Sequence, residues 1–175
     1  MRARVVYESM YGNTEAVARA IADGLAEHAS VEVLDIAAAD AAPLPPVDLV
    51  VVGGPTHAFG LSRPNTRADA ASRTDAPITV DVGIREWLDN LDPAPAGSRA
   101  AAFGTKVAKP PWLPGSSARG AAKRLRKLGY QLAGDPMDFL VDGMTGPLRD
   151  GELERARSWA AALADTEIRR TAQHS

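Results

Sequence analysis

Val5-Val6-Tyr7-Glu8-Ser9-Met10-Tyr11-Gly12-Asn13-Thr14 carries a strand straight into a helix. Arg4 to Tyr7 is a short β-branched and aromatic run that reads as a buried first strand, and it stops at the turn-like stretch Ser9 to Asn13. From Thr14 the period changes. Val17, Ile21 and Leu25 recur every four residues with Ala18 and Ala22 beside them, which predicts a helix to about His28. A junction of this kind offers unpaired amides and the positive end of the helix dipole. Gly12 lets the backbone approach a ligand closely, and Ser9 and Thr14 add hydroxyls. The loop therefore has the makings of a phosphate cradle. It holds no lysine or arginine and lacks the Gly-Lys-Ser/Thr of a nucleotide-triphosphate loop, so a single terminal phosphate held by neutral donors is the better match. The competing reading is a helix start capped by Asn13 or Thr14, with Gly12 serving only the turn.

Outward from this junction, strand and helix patterns alternate. Val31 to Ile36 alternates apolar and charged residues, as in a strand near a sheet edge. A link with Pro43, Pro45 and Pro46 has room for a short helix at most. Asp48 to Val52 is a nearly continuous aliphatic run, expected to be a central strand that ends at Gly53-Gly54. Pro55 to Gly83 is long, polar and without a clear period, and a helical pattern resumes over Ile84 to Leu91. Arg99 to Phe103 reads as the fourth strand, followed by Gly104 and a Pro-rich loop with Trp112. Ser116 and Ser117 are candidate starts of a helix to Leu128, stopped by Gly129. Met137 to Val141 is the fifth strand, and Gly151 to Ala164 is the last helix, after which a polar tail is expected to fray. The expected organisation is one domain over residues 1–165 and a tail over 166–175. Alternating elements call for a mostly parallel sheet covered on both faces, with ligands outside the carboxyl ends of its strands. The loops after Tyr7, Val52 and Phe103 are therefore the ones to inspect.

Composition narrows the function classes. A chain of 175 residues with 45% hydrophobic and 24% charged residues is globular, and a net charge of −2 gives no bulk attraction to nucleic acid. It contains no cysteine, which removes thiolate catalysis, disulfides and cysteine-ligated metal clusters. No leader-like segment or membrane-length apolar run is apparent, so the expectation is a cytoplasmic protein without membrane insertion. His28, His57 and His174 lack metal-ligand spacing, and no metal site is expected. Asp81, Glu86, Asp89 and Asp92 cluster around the short helix without a paired-carboxylate pattern. Trp87 and Trp159 lie on helical apolar faces and are read as core, whereas Trp112 is placed to meet a ligand or partner.

Residues 7–14 resemble the FMN-phosphate loop of flavodoxins, whose usual pattern is Ser or Thr, two variable residues and Gly-Asn-Thr. The likeness extends along nearly the whole chain, through the first helix, Val50-Val51-Val52-Gly53-Gly54-Pro55-Thr56-His57, Ala101-Ala102-Phe103-Gly104-Thr105 and the closing helix. It implies a three-layer, doubly wound α/β fold of five parallel strands in the flavodoxin-like order 2-1-3-4-5. By the same resemblance, Ser9, Tyr11, Asn13 and Thr14 surround the phosphate of FMN, with Met10 and Gly12 contributing amides. Pro55, Thr56, His57 and Phe59 belong to the loop that lines the isoalloxazine near O4 and N5. Gly104, Thr105 and Lys106, continuing through Lys109-Pro110-Pro111-Trp112, cover its pyrimidine side near N1 and O2.

One departure concerns charge. Low-potential flavodoxins tend to be acidic around this last loop, but every lysine here, Lys106, Lys109, Lys123 and Lys127, lies between Gly104 and Leu128, with Arg119, Arg124 and Arg126 among them. A cation near N1 stabilises the reduced flavin anion and raises its potential. Arg119, Lys123, Arg126 and Lys127 read either as a solvated helix face or as a site for a phosphate-bearing substrate or acidic redox partner. Arg63 and Arg67 either close over the site or face solvent, and Glu8 is expected to turn away from it. The resemblance implies an electron-transfer flavoprotein working with a redox partner protein or a small quinone-like acceptor. Two alternatives stand beside it, an FMN-dependent NAD(P)H:quinone oxidoreductase and a flavin-free binding or regulatory module. The oligomeric state is left open.

Overall fold

Valines in consecutive pairs, Val5-Val6 and Val51-Val52, send one side chain to each face of a strand, so both faces must be covered. The structure, a computed structural model, describes residues 1–108, 110, 112 and 114–173. Its elements are β1 (Arg2–Tyr7), α1 (Asn13–Ala26), β2 (Ser30–Asp35), α2 (Ile36–Asp40), β3 (Leu49–His57), β4 (Gly60–Leu61), α3 (Pro64–Ala71), α4 (Ile84–Asn90), β5 (Arg99–Val107), α5 (Ser117–Lys127), β6 (Gln131–Leu132), β7 (Met137–Val141) and α6 (Glu152–Gln173).

The parallel sheet runs β2-β1-β3-β5, and the outer edge of β5 is taken by two pieces. β6 pairs with Arg99 and Ala100, and β7 pairs with Phe103 to Val107, so the fifth strand position is interrupted at Ala133-Gly134-Asp135-Pro136. This is the expected 2-1-3-4-5 arrangement with a broken last strand. On one face α1 and α6 bury Val17, Ile21, Leu25, Ala156, Ala160 and Leu163 against Val5, Val51, Phe103 and Phe139. On the other, α2, α4 and α5 bury Ile36, Ile84, Leu88, Ala121 and Leu125 against Val6, Val52 and Ala102. Trp87 is buried in this second core, and Trp159 packs edge-on to Phe139 with ring centroids 6.1 Å apart.

Several boundaries differ from the sequence expectation. β3 does not stop at Val52 but continues to His57, and residues 58 and 59 turn it back as the antiparallel β4. This hairpin lacks the glycine that marks a tight turn, and Ala58 and Phe59 instead adopt φ of 43° and 77°. α3 occupies the stretch expected to be irregular, with Pro64 at its start and the Arg63 amide donating to Thr66 Oγ1 at 2.9 Å. The tail does not fray at Thr166: α6 runs to Gln173, because Glu167 is buried and accepts from Arg99 at 2.7 Å. A buried ion pair leaves no apolar periodicity, so the pattern hid it.

Arg67 neither covers a ligand nor faces solvent, since it is fully buried. Its Nε donates to Val80 O at 2.7 Å, its Nη1 to Ser62 Oγ at 2.9 Å, and its Nη2 lies 3.1 Å from Glu86 Oε2 without hydrogen-bond alignment. The Ser62 hydroxyl in turn donates to Glu8 Oε1, and the Ile84 amide donates to Glu8 Oε2 at 2.9 Å. Glu8 is thus turned into the protein beneath α4, tying the end of β1 to the long 62–83 excursion. Burial pushes its carboxyl pKa up, partly offset by Ser62, the Ile84 amide and Arg67.

Two outcomes are expected. A carboxyl with a raised folded-state pKa binds its proton more tightly when folded, so its contribution to stability falls as pH rises from the unfolded value of about 4.3. Urea denaturation at a series of pH values should therefore show Glu8→Gln gaining on the parent protein from about pH 4 upward, although it loses hydrogen bonds at every pH. Equal pH slopes would refute the shift. At the turn, Ala58→Gly should stabilise the fold by about 0.5–1 kcal/mol in the same assay, because glycine removes the left-handed strain.

Candidate functional site

The carboxyl ends of β1, β3 and β5 open into a cleft of about 420 Å³. One wall is the β1–α1 junction, where Ser9, Met10, Tyr11, Asn13 and Thr14 line the cleft. Gly12 is the residue preceding α1, at φ 88°, and no side chain caps the helix. Asn13 and Thr14 are instead its first two residues, which disposes of the capping alternative. The Ser9 hydroxyl accepts from the Gly12 amide at 3.1 Å and shapes the loop. Asn13 Nδ2 donates to Thr145 O at 3.1 Å, and the buried Thr14 and Thr105 hydroxyls are 2.8 Å apart, which joins β1–α1 to β5. Gly12 faces a neighbouring groove formed by Ser9, Tyr11, Glu15, Arg73 and Thr145. The loop lacks a cation of its own, and the fold brings Arg73 to it from the segment after α3.

The opposite wall is the end of β3. Pro55, Thr56, His57 and Ala58 line it, together with Thr66, Asp69 and Ala70 from α3. Thr56 Oγ1 accepts from the Ser117 amide at 3.0 Å, and Ser117 Oγ donates to Gly54 O at 2.6 Å. Gly104 is not in the cleft. It permits this contact, because a Cβ there would lie 2.3 Å from Ser117 Oγ. The Thr66 hydroxyl donates to Arg63 O at 3.0 Å, so the 3.1 Å contact with His57 has Nδ1 as the donor. Burial, and then the charge of Arg67, lower the His57 pKa, with Asp69 opposing, so the ring is neutral near pH 7 and Nε2 is an acceptor.

The floor and third wall come from β5 and its neighbours. Thr105, Lys106 and Val107 line the cleft with Val141 and the exposed Met144. Lys106 Nζ lies 3.4 Å from Asp138 Oδ2, so its charge is paired. Two expected ring contacts stand elsewhere: Phe59 is 59% exposed and Trp112 77% exposed, and neither lines the cleft. Phe59 lies on the outer side of the hairpin, where its carbonyl accepts from the Ser116 amide at 3.3 Å and its Cα adjoins Gly115. Lys109, Pro111 and His174 lie outside the described residues. Sequence reasoning missed Thr66, Asp69 and Ala70 because their segment has no apolar period; Pro64 after Arg63 was the one helix-start signal there. Among the described residues no helix is long and apolar enough to cross a membrane.

Comparison with solved structures returns the same architecture. A flavodoxin from the domain Archaea superposes with a TM-score of 0.66 at 22% identity, covering 96% of this chain and 99% of that one. Oxidised flavodoxin 2 from Bacillus cereus gives 0.68 at 23% identity, covering 94% and 99%. Two-electron reduced flavodoxin from Megasphaera elsdenii gives 0.60 at 20% identity, covering 93% and 98%. These identities speak for the fold alone, and no curated protein sequence matches the chain. The sequence itself adds what the fold cannot: the flavodoxin family model matches residues 5–105, from β1 through the third wall of the cleft and over more than half of the chain, and the chain therefore belongs to the flavodoxin family.

Proposed function

We propose that the cleft binds FMN and that the protein transfers electrons through it to and from other redox partners. The observation that carries this reading is the uncapped start of α1, where Ser9, Asn13 and Thr14 line the cleft and Gly12 lines the groove that adjoins it. Amides and hydroxyls there are the donors a terminal phosphate needs, and a cleft of about 420 Å³ with apolar walls suits a flat conjugated ring. FMN supplies one- and two-electron redox chemistry when bound. The residues supply the rest. Ser9, Tyr11, Thr14 and the Met10 and Gly12 amides are assigned to the phosphate, Pro55 to Ala58 to one side of the ring, and Thr105 and Lys106 to the other. Met10, Val107 and Val141 exclude water. Neutral His57 offers Nε2 as an acceptor, and Lys106 with its Asp138 partner sets the local charge.

The first test is a titration of the stripped protein with FMN and with riboflavin, followed by flavin fluorescence. FMN should bind much more tightly than riboflavin. Arg73→Ala should weaken FMN severalfold and leave riboflavin unchanged, since a solvent-screened cation beside a phosphate adds modestly to its binding. Binding of neither flavin would leave a flavin-free module, and steady NAD(P)H oxidation with a quinone and no added reductase would reassign the protein as a quinone oxidoreductase. Lys106→Met should lower the midpoint potential of the bound flavin by an amount on the order of tens of millivolts, measured by dye-coupled reduction, because it removes a cation and leaves Asp138 uncompensated. A potential that stays put or rises would remove Lys106 from the flavin's surroundings.

A further inference from the structure

α5 is amphipathic in an unusual sense. Ala118, Ala121, Ala122 and Leu125 are fully buried in the core, while Arg119, Lys123, Arg126 and Lys127 fall on the opposite, exposed face. From Gly104 to Gly129 the chain holds seven of its 20 basic residues and none of its 22 acidic ones. The acidic groups on the neighbouring helix are already engaged: Asp89 accepts from Arg124 at 2.9 Å, and Glu86 pairs with Arg67 at 3.1 Å. Several exposed cations elsewhere have partners, as Arg19 has Glu15, Arg149 has Asp142 and Arg169 has Asp165, whereas the exposed Arg2 has none among the described residues. Arg119, Lys123, Arg126 and Lys127 have no carboxylate within ion-pair distance among the described residues, and neither has the exposed Arg63. Arg85 adds to the cluster, its guanidinium fixed on Leu61 O and Ser62 O at 2.8 and 3.1 Å.

This ridge starts at the mouth of the cleft. The Ser116 amide donates to Phe59 O, and Gly120 packs on Leu61, so the first turn of α5 lies against the hairpin whose Ala58 lines the cleft. The exposed Phe59 lies at this end, its carbonyl bonded to the Ser116 amide and its Cα against Gly115. Like charges held together without counter-charges repel one another, and an acidic surface relieves that repulsion and steers the encounter. An apolar contact at one end supplies the short-range grip that rim charges lack.

We propose that the exposed face of α5, from Arg119 to Lys127, together with Phe59 beside its first turn, docks an acidic electron-transfer protein. The proposal rests on the flavin reading of the cleft for its purpose but not for its contacts. Bound there, the partner would lie beside Ala58 of the cleft wall, and with FMN in the cleft one electron would pass from the reduced flavin to the partner's oxidised redox centre.

The test is a titration of the isotopically labelled, FMN-loaded protein with rubredoxin as the acidic probe and cytochrome c as the basic one, followed by amide chemical shifts. Rubredoxin should shift amides of α5 and of residues 59–61 at low salt. Its affinity should fall about tenfold in roughly 0.3 M NaCl and likewise in the Arg119→Glu/Lys123→Glu double variant, whose circular dichroism and melting temperature verify its fold. Shifts on the α1–α6 face, binding of cytochrome c as tight as that of rubredoxin, or a double variant with parent affinity would overturn the proposal. So would tighter binding of a DNA duplex or of anionic phospholipid vesicles to α5, which would make the ridge a nucleic-acid or membrane surface. Flavin retention is read in the same sample: rubredoxin binding to a protein that takes no FMN would support the docking face while refuting the flavin reading.

Discussion

The cleft depends on one close approach. Ser117, the first residue of α5, sits against Gly104 of β5 and bridges to Gly54 O and Thr56 of β3. No residue with a Cβ fits at 104 without displacing either the hydroxyl or the helix start. The contact locks the ends of two adjacent parallel strands to one helix terminus, satisfying the Ser117 amide and the Gly54 carbonyl at once. Thr56 is thereby fixed with its neighbours His57 and Ala58 turned to the cleft. The neighbouring strand end is fixed in the same way, by the buried pair of threonines, 14 and 105, between α1 and β5.

The second tie acts at longer range. Residues 62–83 leave the sheet for more than twenty positions, and such an excursion is costly to order unless something buried holds it. Glu8, Ser62, Arg67 and Glu86 do so, joined by two backbone groups, Val80 O and the Ile84 amide. A buried charged network is weak evidence for extra stability, but its geometry is demanding, and here it sets where α3 lies. Because α3 contributes Thr66, Asp69 and Ala70 to the cleft, the polar core beneath β1 positions a wall of the site.

How much of this was legible in the sequence follows from the range of each interaction. The β1–α1 junction is local, and its strand, turn and helix signals agree within ten residues, so its form was legible; Ser9, Met10, Tyr11, Asn13 and Thr14 line the cleft, and Gly12 lines the groove beside it. The parallel sheet was legible because strands alternate with helices and the central strands lack polar alternation, while its order 2-1-3-4-5 was implied by the resemblance to flavodoxins. α3 was not legible: its exposed face is polar, its buried positions are Arg67 and Ala70, and its place is set by a glutamate 59 positions earlier. Phe59 and Trp112 were expected at the ring because their loops resemble the ring-lining loops of flavodoxins, whereas the left-handed turn at Ala58 carries Phe59 outward. The extension of α6 rests on Arg99 and Glu167, a pairing between distant segments that no window of sequence displays.

Charge is arranged differently inside and outside the cleft. Among the described residues, the cations that line the cleft and the groove beside it are each matched by a carboxylate: Lys106 with Asp138, and Arg73 with Asp69. Such pairs hold the local field near neutral, so a bound group is recognised by hydroxyls, amides and shape, and its potential is tuned by small imbalances between partners. On α5 the same chain leaves Arg119, Lys123, Arg126 and Lys127 in solvent without counter-charges among the described residues. Helix stability does not require that arrangement, since only cations near the carboxyl end gain from the dipole and Arg119 sits in the first turn, where a cation is disfavoured. A cation kept where the helix itself disfavours it, one turn from the cleft mouth, is more economically explained by an external acidic surface than by the fold.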